Sequence, residues 1–256
     1  MYKKITISLA MAILISGCGS DNPPPVELNT TPPIQASPGS FAGLYSGEIM
    51  PEGSINPIAV DVMISPDGKM RGISESFFQL SGELVFDGAT IETDKLVNYA
   101  PQGRDDGIFF GEAIQEGSLS GSLDNSMLTG NSYYADNENP FSVKKRSVST
   151  DGDIQAIEGS YVDSTSSVEV SIDEDGVVSG IDSYGCLYSG MVTMTESASN
   201  IYDINLTTEN CNEFSAQLSG LLAFLPANTL TNQARDWLMI AVNNATLSMT
   251  TILLRN

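Results

Sequence analysis

Residues 60–74 read VDVMISPDGKMRGIS, and residues 168–182 read VEVSIDEDGVVSGID. Laid over one another at an offset of 108, they share Val60/Val168, Val62/Val170, Ile64/Ile172, Asp67/Asp175, Gly68/Gly176, Gly72/Gly180 and Ile73/Ile181. Each copy is a run of alternating apolar residues, an Asp-Gly step and a second short run. Period-two alternation bounded by turn residues describes half-buried antiparallel strands in a hairpin. The match continues downstream, where Ser81-Gly82 falls on Ser189-Gly190 and Phe78 on Cys186. Upstream, Gly43-x-Tyr45 matches Gly159-x-Tyr161 once PEGSINPI, residues 51–58, is taken as an eight-residue insertion. The repeat divides the chain into a β module at 41–148, a polar linker at 149–156 and a related module at 157–256.

Each module has about 100 residues, enough for one small core. Sheets of this size close into small barrels or fold into sandwiches, because an open sheet leaves unpaired edges. The expected fold class is all-β, two tandem antiparallel modules, with barrel and sandwich both open. Long amphipathic helices are absent. Ala234, Trp237, Leu238 and Ala241 also fit helical spacing. A hairpin is the favoured reading there: DWLMIAV, a turn at Asn243-Asn244, then TLSMTTILL.

The first 17 residues are a targeting segment. Lys3 and Lys4 form a positive start, and ITISLAMAILIS is an apolar run too short to span a membrane as a mature helix. It ends in Ile15-Ser16-Gly17-Cys18, which resembles the lipobox of a bacterial lipoprotein. The resemblance implies cleavage before Cys18 and lipidation of its thiol, and it covers only these first residues. Gly19, rather than aspartate, follows the cysteine, which implies the outer membrane of a Gram-negative envelope. Residues 18–40 hold half of the twelve prolines and almost no large apolar side chain, so they read as a tether. Lipid is the only membrane attachment expected.

The chain carries 11 Lys+Arg against 32 Asp+Glu, a formal charge of −21, and removing Lys3 and Lys4 makes it −23. Such a surface repels nucleic acid and anionic membranes. With Cys18 lipidated, Cys186 and Cys211 remain. In an oxidising compartment they read as a disulfide, with two buried free thiols as the alternative. The spacing G-x-Y, D-G-x-x-x-G, G-C-x-x-x-G in the second copy resembles uncharacterised envelope lipoproteins with small β-barrel modules. More loosely, it is similar to the barrel domains of surface lipoproteins of the transferrin-binding-protein type. These motifs are glycine and turn residues and transfer no functional residues.

There is no histidine, which removes Ser-His-Asp and Cys-His catalysis and histidine zinc sites. No phosphate-binding or dinucleotide glycine loop is present. No catalytic residue and no cofactor are expected. SIDEDGVVSG, residues 171–180, offers Asp173, Asp175 and Asp182 as calcium ligands. The first copy has Met63, Ser65, Asp67 and Ser74 at the matching positions, which favours a type I turn with a left-handed glycine instead. The adjacent aromatic pairs put one ring in and one out on a strand, making Phe109, Tyr133 and Tyr134 a candidate binding patch. The expected function is a lipid-anchored outer-membrane protein on the periplasmic or cell-surface face. Its expected role is non-catalytic binding or scaffolding with another envelope or extracellular protein: adhesin-like, assembly accessory, or inhibitor or immunity protein. The alternatives are a carboxylate-based hydrolase and a small-ligand carrier.

Overall fold

The computed structural model describes residues 41–102, 108–147, 152–164, 167–194, 200–227 and 234–256. The targeting segment, Cys18, the tether and residues 148–151 of the linker region lie outside the described residues. Nine strands come first: β1 (Gly43–Ile49), β2 (Ile58–Ile64), β3 (Lys69–Ser74), β4 (Gln79–Glu83), β5 (Val85–Asp87), β6 (Thr90–Gln102), β7 (Ile108–Asp124), β8 (Met127–Tyr134) and β9 (Asn137–Lys145). Each pairs antiparallel with the next around a ring, β4 and β5 acting as one broken strand against β6, and β9 closes onto β1. A helical turn, α1 (Ile154–Ile157), follows in the segment read as a linker; the Asp153 carboxylate caps it by accepting from the Gln155 amide. Eight more strands form a second ring: β10 (Gly159–Val162), β11 (Val168–Ile172), β12 (Val177–Asp182), β13 (Leu187–Thr193), β14 (Ile201–Glu209), β15 (Ala216–Leu225), β16 (Trp237–Asn243) and β17 (Leu247–Arg255). This ring closes where β17 meets β10. The modules are therefore barrels, and the terminal hairpin forms as a hairpin.

The duplication is exact in register. Val60, Val62 and Ile64 of β2 face Ser74, Gly72 and Met70 of β3; Val168, Val170 and Ile172 of β11 face Asp182, Gly180 and Val178 of β12. The turn repeats too. Gly68 donates to the Ser65 carbonyl and Gly176 to that of Asp173, both at 3.0 Å. Both glycines are left-handed, with φ of 93° and 83°. A Cβ at either would meet the carbonyl oxygen of Leu84 or Val192, at 2.6 and 2.5 Å. Only glycine fits, so this step is used twice.

Inward-facing side chains fill each ring, as an eight-stranded barrel allows. Val60, Val62, Met70, Leu96, Leu119 and Phe141 belong to the first core; Val170, Val178, Tyr188, Leu206, Leu222 and Ile240 belong to the second. In the first ring a cavity of ≈ 20 Å³ remains, lined by apolar side chains such as Val60, Met70, Leu80 and Phe141 and by Ser132. Ligand sites run to roughly 300 Å³ or more, so this interior is packed rather than hollow.

A third apolar cluster lies between the rings, where Leu44, Met63 and Ile73 meet Ile201, Leu221, Ala223, Leu225, Met239 and Ala241. This explains why β15 and β16 are apolar on both faces. Polar contacts ring it: Arg71 donates to the Ser219 carbonyl, Gln79 to the Asn243 side chain, and Lys69 pairs with Asp203 at 2.8 Å. The rings also share sheet. On β17, β10 pairs with Leu254 and Arg255 alone, leaving the edge from Leu247 to Thr251 to Ile108–Glu112 of β7. Ile108 and Phe110 thereby enter the second core, and the Phe110 ring stacks on Phe214 at 4.5 Å between centroids.

Equivalent tyrosines tie each ring to its entry. The Tyr45 hydroxyl donates to the Phe41 carbonyl at 2.7 Å, and Tyr161 to that of Ile157 at 2.8 Å. Burial pushes the phenols of Tyr45, Tyr99, Tyr134, Tyr161 and Tyr202 above their ordinary value of 10.0. A raised pKa means that the folded state holds the proton more tightly than the unfolded chain. Its contribution is complete below the unfolded value and is lost as pH rises through the folded ones. The urea midpoint should therefore fall steeply above pH 10.0; a flat midpoint there would count against burial of these rings.

Candidate functional site

The wall of the second ring at β12 and β13 gathers several exposed apolar side chains on two adjacent strands. Inward positions Val178, Tyr188 and Val192 are buried, as alternation requires. Four outward positions are apolar as well: Val177, Ile181, Leu187 and Met191 are 41%, 50%, 39% and 39% exposed. Val177 pairs with Met191 and Ile181 with Leu187, while Ser179 and Ser189 face each other between them. Cross-strand neighbours on one face lie about 5 Å apart, so the wall carries a strip of two apolar pairs divided by the serine pair. Tyr184, in the connecting turn, extends it and is 66% exposed.

The turn that presents Tyr184 is held rigidly. Asp182 is buried, and one carboxylate oxygen accepts from the amides of Tyr184 and Cys186 at 2.9 and 3.0 Å. The other accepts from the Tyr188 hydroxyl at 2.6 Å. Cys186 is bonded to Cys211, with Cα atoms 4.7 Å apart, joining this turn to the connection between β14 and β15. Both sulfurs are buried. In the first copy the left-handed turn position held by Gly185 is occupied by Phe77, at φ of 61°. Its ring stacks on Phe109, with centroids 3.5 Å apart.

The acids read as alternative calcium ligands are not brought together. Asp173 accepts from the amides of Asp175 and Val177, fixing the turn before β12, whereas Asp182 lies at the other end of that strand. No group of three or more histidine, cysteine or acidic side chains is poised to hold a metal among the described residues. The aromatic patch is divided as well. Tyr134 is buried in the first core, and the Tyr133 hydroxyl reaches Glu138. Phe109 lies nine positions along β7 from Ser118, the partner of Tyr133, or about 30 Å at strand spacing. Adjacent rings do alternate in and out, but strand register sends the two outward rings to different walls.

The β12–β13 strip escaped the sequence reading, although a signal was available. Val177-Val178 and Met191-Val192 set apolar residues side by side, so one of each pair must face outward. Acidic groups flank the strip. Glu169 pairs with Ile181 on one side and Glu209 with Leu187 on the other, and Asp173, Glu174 and Asp175 are exposed at the Val177 end.

No protein-family model matches the chain, and no curated protein matches it. Among solved structures, a candidate outer membrane protein from Bacteroides fragilis aligns over 86% of this chain and 99% of its own, at 13% identity and a TM-score of 0.25. At that level of likeness the architecture rests on the strand pairings alone: two joined antiparallel β-barrels.

Proposed function

We propose that this is a lipid-anchored outer-membrane protein that acts by binding another protein, not by catalysis. The observation that carries the binding role is the exposed apolar wall at Val177, Ile181, Leu187 and Met191, on a rigid, disulfide-held hairpin. Large apolar side chains gathered on one exposed wall support an interaction site. The packed first interior gives no support to a small-ligand carrier. On the first ring, exposed apolar side chains such as Val85, Ile114 and Met127 are interspersed with outward polar residues such as Glu92, Ser120, Thr129 and Glu138 and make no continuous band. A lipid-spanning barrel needs an apolar outer band, so attachment is assigned to the N-terminal lipid at Cys18.

Two measurements test the proposal. Cys18→Ser should abolish incorporation of labelled palmitate and release the protein from the membrane fraction. Unchanged fractionation would sink the anchor. For binding, a photo-crosslinking residue at Ser189 should form a protein adduct in intact cells, and one at Ser122 on the first ring should not. Silence at Ser189 would remove the binding role. Protease shaving of the same cells assigns the face of the membrane.

A further inference from the structure

The wall that is exposed in the second ring is covered in the first. Through the duplication, Val177, Ser179 and Ile181 correspond to Lys69, Arg71 and Ile73, and Leu187, Ser189 and Met191 to Gln79, Ser81 and Glu83. In the first ring that wall docks on the second: Ile73 is in the shared apolar cluster, Arg71 and Gln79 donate across, and Lys69 pairs with Asp203. The copy that meets solvent is thus the more apolar of the two, the reverse of what solvation favours. The exposed strip is also continuous with the established interface. Met191 lines a surface groove together with Ser219 and Asn243, the residues that receive Arg71 and Gln79.

Charge selects the occupant. No lysine or arginine occurs between Arg146 and Arg235, so β11 to β14 carry none. The charged residues beside Ile181 and Leu187 and in the turn before Val177 are all acids: Glu169, Glu209 and Asp173–Asp175. Lys69 and Arg71, at the seam by Met191, are already engaged by Asp203 and Ser219. A second copy would press acid on acid around an apolar centre, and an anionic bilayer is repelled in the same way. The covered wall of the first ring shows the complementary composition, an isoleucine beside a lysine and an arginine.

Resting on the binding role proposed above, we infer that the β12–β13 wall is the docking site for a partner protein presenting an apolar strip flanked by lysine or arginine. Its occupant pairs apolar side chains with Ile181 and Leu187 and places cations over Glu169 and Glu209.

The test uses the mature protein and two strand-forming peptides, one alternating isoleucine with lysine and the other isoleucine with glutamate. The lysine peptide should bind, more weakly as salt rises. Ile181→Ser/Leu187→Ser should weaken it by about tenfold or more through lost apolar contact, at an unchanged melting temperature. The glutamate peptide should not bind. No binding of the lysine peptide, or equal binding to the double variant, overturns the inference, the latter leaving only diffuse acidity. Equal binding of the glutamate peptide removes the charge requirement. Self-association lost in the double variant would make a second copy the occupant, and phosphatidylglycerol vesicle binding lost in it would make the occupant a lipid surface. A Ser189 adduct whose crosslinked segment lacks lysine and arginine would refute this chemistry while leaving the binding role intact.

Discussion

Phe110→Ala should destabilise the second barrel, although the residue belongs to a strand of the first. Its ring is fully buried in the second core and stacks on Phe214. Truncating a buried phenylalanine costs about 3–5 kcal/mol, from lost transfer energy and the cavity left behind. The single tryptophan, Trp237, sits on β16, so its fluorescence reports the second ring directly. The urea midpoint followed by Trp237 should fall with little change in slope. If that midpoint stays put while the first ring loosens, β7 does not complete the second core.

Removing the disulfide should have the next largest effect. Cys186 and Cys211 are 25 residues apart, and closing a loop of that size costs the unfolded chain about 3–4 kcal/mol of conformational freedom. Cys186→Ala/Cys211→Ala, or reduction of the native protein, should lower the urea midpoint accordingly. The loss should concentrate in the β12–β13 turn, where amide exchange at Tyr184 and Cys186 would accelerate. An unchanged midpoint with both thiols titratable would show the bond to be energetically idle. The first copy has Phe78 in place of Cys186 and is held at this end by the Phe77–Phe109 stack instead.

The rings were legible because their signals are local. Alternating valines, the Asp-Gly step and the offset of 108 all act within a hairpin, and the strands pair in the register they imply. The cysteine pair was legible from parity and compartment. What escaped the sequence depends on long-range pairing. Nothing near Phe109-Phe110 announces that one ring enters a barrel built from residues 159 onward. Adjacency fixes that Tyr133 and Tyr134 alternate but not which of them faces in; the structure puts Tyr134 in the first core. Asp182 looked like an ion ligand because acids near a glycine serve turns and metals alike, and only its three partners decide between them.

The sharing of β17 sets an order of assembly. Ile108–Glu112 leaves the ribosome long before Leu247–Thr251, the edge it pairs with. Until that edge arrives, the first barrel carries an unsatisfied hairpin tip with Phe110 in water, a template for pairing with any other strand. A chain cut short before β17 would lose a strand from one barrel and the cover from the other in a single event. Its failure would then be intermolecular, as aggregates joined through β7, because the duplicated halves mature together or not at all.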